Sequence, residues 1–282
     1  MNKSPNNRFG VWKAYFPVVP FLLFALFPFF WMVITSLKSN TELYNVSASP
    51  FAIREGVTLE QYRLLLKDTA FLLWMSNSTI VALVVTLISV TASTLAAYAV
   101  ARLRFRGAQL FGMAIFLTYL VPPTLLFIPL SRVVAFFGVS DSLWALILTY
   151  PTFLIPFGTW LQMGYFRTIP KELEECAMVD GATRTQALVR IILPISIPGL
   201  LTVAIFSFTL AWGHFIYALA FISSAPQKVL PVGIATELIR GDVFFWGALM
   251  AAALLASVPV VVVYSLFTGR FVAGLTAGAT KY

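Results

Sequence analysis

The sequence predicts an all-α integral membrane protein with six transmembrane helices. Three observations carry this: an excess of apolar residues, six long stretches without a charge, and no strand-like alternation within them. Of 282 residues, 60% are hydrophobic and only 11% are charged. A soluble domain carries about 25% charged residues, so the surplus apolar surface calls for a bilayer as its solvent. The stretches free of Asp, Glu, Lys and Arg are Ala14–Leu37, Thr69–Ala101, Gly107–Ser131, Ser142–Phe166, Ile191–Gln227 and Val243–Gly269. Each exceeds the roughly 20 residues a helix needs to cross the hydrocarbon core. Unpaired backbone groups are costly in lipid, so a span is a helix or part of a closed barrel. Barrel strands are about ten residues long and alternate in polarity, and these stretches do neither.

Taken in order, the spans are expected at approximately 15–37, 73–101, 108–130, 143–165, 195–222 and 246–268. The first is longer than the usual 7–15-residue core of a secretory signal and reads as a retained helix. Its Pro17, Pro20 and Pro28 predict an irregular course. In the second, Ser89, Ser93, Ala97 and Ala101 recur every four residues, a small-residue stripe that lets helix backbones approach closely in lipid. An outer loop at 223–245, with Pro226, Pro231, Gly233 and Gly241, is longer than a plain hairpin needs. From Arg270 a short, flexible, Gly-rich tail is expected.

Lysine and arginine concentrate on the cytoplasmic side of membrane proteins. With the N-terminus inside, the inner segments hold twelve: Lys3, Arg8, Lys13, Arg102, Arg104, Arg106, Arg167, Lys171, Arg184, Arg190, Arg270 and Lys281. The outer loops hold seven. Both termini are therefore expected in the cytoplasm. This bias also accounts for the net charge of +8 without invoking nucleic acid.

Several chemistries are disfavoured. The single cysteine, Cys176, and the single histidine, His214, allow no intrachain disulfide and no cysteine- or histidine-based metal cluster. No phosphate-binding G-x-x-x-x-G-K-[ST] loop is present. No acidic residue lies in a span, where ion-coupled carriers usually need one, and no internal repeat of the secondary-carrier kind is found. A stand-alone carrier or channel is thus the weaker reading. A membrane enzyme finds no nucleophile–base pair or metal site.

The most informative segment is the inner loop at 168–194. Pro170 suits the first turn of a helix, and Glu172, Glu174 and Glu175 lie near its positive dipole end. Leu173, Cys176 and Ala177 are spaced to share a face. Gly181 can take the left-handed conformation that stops a helix. Thr183 and Gln186 then form a T-x-x-Q capping box, Leu188, Ile191 and Ile192 give the next helix an apolar stripe, and Pro194 is expected to end it. The result is two short amphipathic helices bent at Gly181. A helix lying on lipid would favour basic residues; the first is acidic, which favours a protein partner with basic groups.

Glu175-Cys-Ala-Met-Val-Asp180-Gly181-Ala182, followed by Ile191-x-Leu193-Pro194, resembles the E-A-A-x-x-D-G-A … I-x-L-P signature of ATP-binding cassette importer permeases. Cys176 replaces the usual alanine and Leu188 a common phenylalanine. Asn77–Ala82, Ala96–Gly107, Ile128–Leu130, Phe166–Glu175 and Arg270–Gly278 extend the similarity along the chain, toward the shorter, six-span permease of the maltose/trehalose/glycerol-phosphate type. The resemblance implies the type I importer permease fold in the bacterial plasma (inner) membrane. It also implies a second homologous permease, a dimer of ATPase subunits, an external solute-binding protein and a sugar or sugar-like substrate. This chain would bind no cofactor; ATP and Mg would sit on the ATPases. On this resemblance Glu174, Glu175, Ala177, Asp180, Gly181, Ala182, Ile191, Leu193 and Pro194 couple the pore to the ATPases, which would drive alternating access.

Candidates for the substrate pathway are His214, Trp212, Tyr217, Asn77, Tyr150, Thr152 and Gln162. His214, the one such ionisable group in a span, has two readings: a pore-wall group, or a neutral imidazole bonded to a neighbouring helix. The family often has Asn and an acidic residue where Gly213 and His214 stand. Trp212 and Tyr217 could stack on a sugar ring or simply pack.

Overall fold

The computed structural model describes residues 15–277 except 48, 104 and 242, with side chains described as far as residue 267. The charges at Lys3, Arg8, Lys13, Arg104 and Lys281, and the chain beyond Ala277, lie outside the described residues. The described chain is almost wholly helical, in two compact units. One comprises the chain up to Phe71 together with Ile234–Val258; the other comprises Leu72–Gly233 and the chain from Pro259.

The first unit contains helix α1 (Val18–Ser36), followed by α2 (Asn40–Leu43) and α3 (Glu60–Lys67). Despite its prolines, α1 is one continuous helix with Pro28 inside it. Only its last turn, Ile34–Ser36, is buried, while residues from Phe16 to Val33 expose large apolar side chains. Beyond α1 the chain is tied by polar contacts. Lys38 Nζ donates to the Ser49 carbonyl (2.7 Å) and pairs with Glu42 at 3.2 Å. Gln61 Nε2 donates to the Lys38 carbonyl and to Asn40 Oδ1.

The second unit begins with α4 (Phe71–Arg102), α5 (Ala108–Tyr119), α6 (Pro123–Phe136), α7 (Leu143–Thr149) and α8 (Pro151–Thr168). The inner loop follows as α9 (Glu172–Val179), α10 (Arg184–Ala187), a π turn (Leu188–Ile192) and α11 (Leu193–Ile195). Then come α12 (Ile197–Trp212), α13 (Ile216–Phe221) and α14 (Leu230–Glu237), which passes into the first unit at Ile234; the short strands β1 (Ile239–Arg240) and β2 (Val243–Phe244), and α15 (Trp246–Ala277) as far as Val258, belong to the first unit. The small-residue stripe is where α4 packs: Ser89, Ser93 and Ala97 are fully buried. A Cβ on Gly158 of α8 would lie 2.9 Å from both Ser93 Oγ and Val203 of α12. Three helices therefore meet at small residues, as close packing in lipid requires.

Four helical stretches are long and apolar enough to cross a bilayer: Val18–Ser36, Phe71–Arg102, Leu143–Thr168 and Trp246–Phe267. Two further spans exist only as bent pairs, Ala108–Tyr119 with Pro123–Phe136 (98°) and Arg184–Ile195 with Ile197–Trp212 (76°). Counting each pair as one span gives six. The span expected at 108–130 is a bent pair of helices. Pro122 and Pro123 lack two successive N–H donors and bias the preceding residues away from helical geometry, so the helix stops at Tyr119 and restarts at Pro123. The expected span at 195–222 is likewise interrupted, at Gly213–Phe215. The flexible tail expected from Arg270 is also corrected, since α15 continues as helix to Ala277. Gly274 there costs about 1 kcal/mol, but no proline stops the helix.

Candidate functional site

The loop at 168–194 folds from its own sequence signals. Lys171 caps α9, with Pro170 one residue outside it rather than in its first turn. At the other end, Gly181 stands at φ +87°. The Ala182 N–H donates to the Ala177 carbonyl (3.0 Å) and the Gly181 N–H to the Met178 carbonyl (3.1 Å). This is a full Schellman stop, which requires the left-handed residue. Two residues later Thr183 opens α10 with the expected capping box: its hydroxyl accepts from the Gln186 N–H, and the Gln186 side chain accepts from the Thr183 N–H.

Contrary to the expectation from sequence, Pro194 does not end this helix. The preceding turn widens to a π turn, with the Leu193 N–H reaching the Leu188 carbonyl. The helix continues through Pro194 and breaks at Ser196, whose hydroxyl caps back onto the Ile192 carbonyl (2.6 Å). Leu188 and Ile192 are buried, Ile191 and Leu193 half-buried, and Pro194 exposed.

The face that α9 buries is also not the expected one. Glu174 and Ala177 point inward, while Leu173 and Cys176 are exposed. The cause is a carboxylate partner in a distant helix. The Tyr98 hydroxyl, near the end of α4, donates to Glu174 Oε1. Arg102, one turn on, places Nε 3.8 Å from Glu174 Oε2 and donates from Nη2 to the Pro170 carbonyl (3.4 Å). At about 1.5 Å per residue, the 32 residues of α4 run about 48 Å, well beyond a 30 Å hydrocarbon core, so its end can reach this loop. Around the carboxylate, Ala97, Tyr98, Met163, Phe166, Ile169, Leu188 and Ile192 form a buried cluster. The bent pair is thus bolted to α4 and α8. Its free surface carries Glu172, Leu173, Glu175, Cys176, Val179 and Asp180, with Val179 86% exposed. Ala182 is half-buried beside the bend. Tyr98 and Arg102 were not singled out from sequence as partners of the loop.

Of the pathway candidates, three come together. At the break between α12 and α13, the His214 ring stacks on Phe153 (4.6 Å, 24°) and lies 5.0 Å from Tyr150 and 4.6 Å from Tyr217. The Tyr150 hydroxyl donates to the His214 carbonyl (3.1 Å), and His214 Nδ1 is buried with no hydrogen-bond partner among the described residues. Phe153, which completes this cage, was not foreseen. Thr152 is exposed nearby, its hydroxyl donating to the Thr149 carbonyl.

The other candidates are engaged elsewhere. Trp212 is buried and stacks on Phe208 (5.6 Å, 20°). Gln162 is buried, with Nε2 3.5 Å from Ser93 Oγ. Asn77 donates both amide hydrogens to the outer loop, to the Pro226 and Lys228 carbonyls at 2.9 Å each. Asn77, a pathway candidate by sequence, thus also anchors this loop.

Further contacts order the segments that join the helices. The N–H groups of Ser223 and Ser224 each donate to Asp141 Oδ1 at 2.8 Å, and the bonds from Ser224 and Ser223 hold that carboxyl below its usual range. Within the first unit, the Tyr44 hydroxyl donates to the Phe244 carbonyl (2.5 Å) at the β1–β2 hairpin.

Fold and site together define a multispan helical membrane protein, with a bent helix pair packed against α4 and α8 and no assembled catalytic group among the described residues. Residues 89–276 match the family described as "Binding-protein-dependent transport system inner membrane component". Over 282 residues the chain is 36% identical to an inner membrane ABC transporter permease, YcjP, of Escherichia coli, covering 99% of both chains. It is 36% identical to the trehalose/maltose transport permease MalG of Thermococcus litoralis, covering 92% of each. Its backbone matches a chain of a bacterial ABC transporter that imports the acidic polysaccharide alginate, with a TM-score of 0.78 at 21% identity, covering 96% of this chain and 99% of that one. The chain belongs to this family of binding-protein-dependent inner membrane components. It is a permease subunit of an ATP-binding cassette importer, not an enzyme.

Proposed function

We propose that this chain forms half of an alternating-access pathway for a carbohydrate and couples it, through the loop at 168–194, to a cytoplasmic ATPase dimer that holds ATP and Mg. The observation that carries the reading is the rigid mounting of the bent helix pair on the buried Glu174, with acidic and apolar groups left facing outward. A partner pushing on that face moves α4 and α8 with it. Both termini are cytoplasmic in this reading, since the basic residues near the loop, Arg102, Arg106, Lys171 and Arg184, follow the positive-inside bias. A second, homologous permease completes the pore; the apolar flank of α1, unburied by its own chain, is available to it. An external solute-binding protein docks on 223–245. The carbohydrate class rests on what the similar permeases carry and on the aromatic cage at His214. Copurification with the ATPase, followed by ATPase assays in proteoliposomes with the binding protein and a panel of neutral sugars, polyols, sugar phosphates and sugar acids, tests it. Stimulation by a carbohydrate is expected. Transport by the chain alone, without ATPase, overturns it.

The His214 cage is proposed to face the path, where the half-buried imidazole meets a sugar hydroxyl. His214→Ala is then expected to change substrate preference in uptake competition by about tenfold, the scale of one hydrogen bond of roughly 1–1.5 kcal/mol, with assembly intact. A lowered melting temperature with unchanged preference would assign His214 to packing instead.

A further inference from the structure

We propose that the groove at the turn between α4 and α5 binds the phosphate of an anionic phospholipid headgroup. The groove has a volume of about 910 Å³, within the roughly 300–1,000 Å³ of small-molecule sites. Its lining has two sides. Arg102, Arg106, Gln109 and Lys171 supply polar and cationic groups; Leu103, Phe105, Leu110 and Met113 supply an apolar wall. Arg102 is the floor, already paired with Glu174. Arg106 and Lys171 are exposed, and no carboxylate among the described residues lies in ion-pairing range of either. The first turn of the 12-residue α5 opens into the same groove. Its cap is Gly107, which offers no side chain to the free N–H groups, so the positive end of the helix adds to the cationic field.

Depth and shape select a lipid as the source of the phosphate. α4 ends and α5 begins at this turn, so the cations stand where spans leave the hydrocarbon and headgroups begin. Below them Leu110, Met113 and Leu117 follow at helical spacing and are 71%, 54% and 56% exposed, an apolar strip along which an acyl chain can lie. A soluble phosphate would have no use for that strip. Basic pockets beside spans on the cytoplasmic side are the places where anionic headgroups bind. The proposal requires only that this turn lie at the membrane surface, and it is independent of the substrate carried.

The test uses the full-length chain in its purified complex, delipidated and then exposed to mixed micelles of phosphatidylcholine and phosphatidylglycerol, with bound lipid read by native mass spectrometry. Selective retention of phosphatidylglycerol is expected. The double variant Arg106→Gln, Lys171→Gln should lower its affinity by on the order of thirtyfold, the effect of removing two surface cations. Leu110→Glu, which keeps both cations but places a carboxylate in the groove, should do the same. Arg132→Gln, in a different loop, should not. Equal retention of both lipids, or undiminished retention by the double variant, overturns the proposal. So does displacement of the lipid by inorganic phosphate alone, which would make this a soluble-anion site. Loss of the ATPase from the double variant with lipid retention unchanged would make it a protein contact and overturns the proposal too.

Discussion

Glu174→Ala is expected to destabilise the packing of the 168–194 loop on α4 by about 3 kcal/mol, the lower end of the cost of breaking a buried ion pair. The carboxylate holds two elements at once, accepting from Tyr98 and facing Arg102. Its removal leaves the Arg102 side chain, only 2% exposed, without its counter-charge. The hydroxyl of Tyr98 loses its acceptor in the same buried cluster. The lower end applies because the Nε–Oε2 separation is 3.8 Å and Arg102 keeps the Pro170 carbonyl. Thermal unfolding of the detergent-purified complex should fall by several degrees. Glu174→Gln should fall less, since its amide oxygen still accepts from Tyr98. Glu175→Ala, one residue on and exposed, should leave unfolding unchanged. If Glu174→Ala melts with the wild type, the carboxylate is not the bolt described above.

The contrast between these two neighbouring glutamates marks what the sequence could reveal. Periodicity within α9 suggested a face of Leu173, Cys176 and Ala177, because a short helix read alone offers only its own apolar residues. The partner that turns Glu174 inward lies 76 positions away in sequence, and no local pattern announces it. Signals contained within one helix or turn were legible: the Gly181 stop, the Thr183–Gln186 box and the small-residue stripe of α4 all stand where spacing put them. The Pro122–Pro123 break was written in the chain but invisible to a search for missing charges, since proline is uncharged. The His214 cage mixes both kinds. Its histidine is conspicuous as the one Asp, Glu, Lys, Arg or His side chain within an expected span, whereas Phe153 becomes part of the site only because α8 and the α12–α13 break meet.

Coupling itself is expected to fail in Gly181→Val. The site has open space: a Cβ there would meet nothing within 4 Å. The penalty is therefore in the backbone alone. At φ +87° a β-branched residue is strained by about 1–2 kcal/mol or more, against only two stop bonds, from Ala182 and Gly181. The cheaper alternative is to let Gly181 leave the left-handed region, which undoes the Schellman stop and re-aims α9 relative to the Thr183 cap. Because Glu174 and Leu188 fix the two arms to the bundle core on either side of the bend, a changed bend alters how the outward face meets a partner without dissolving the fold. The variant should insert and melt near the wild type, yet lose most substrate-stimulated ATPase activity and uptake. Gly181→Asn separates conformation from bulk, since asparagine tolerates the left-handed region far better than valine; it should recover a substantial part of both activities. Wild-type stimulation in Gly181→Val, or an equal loss in both variants, would show that the bend angle does not carry the coupling.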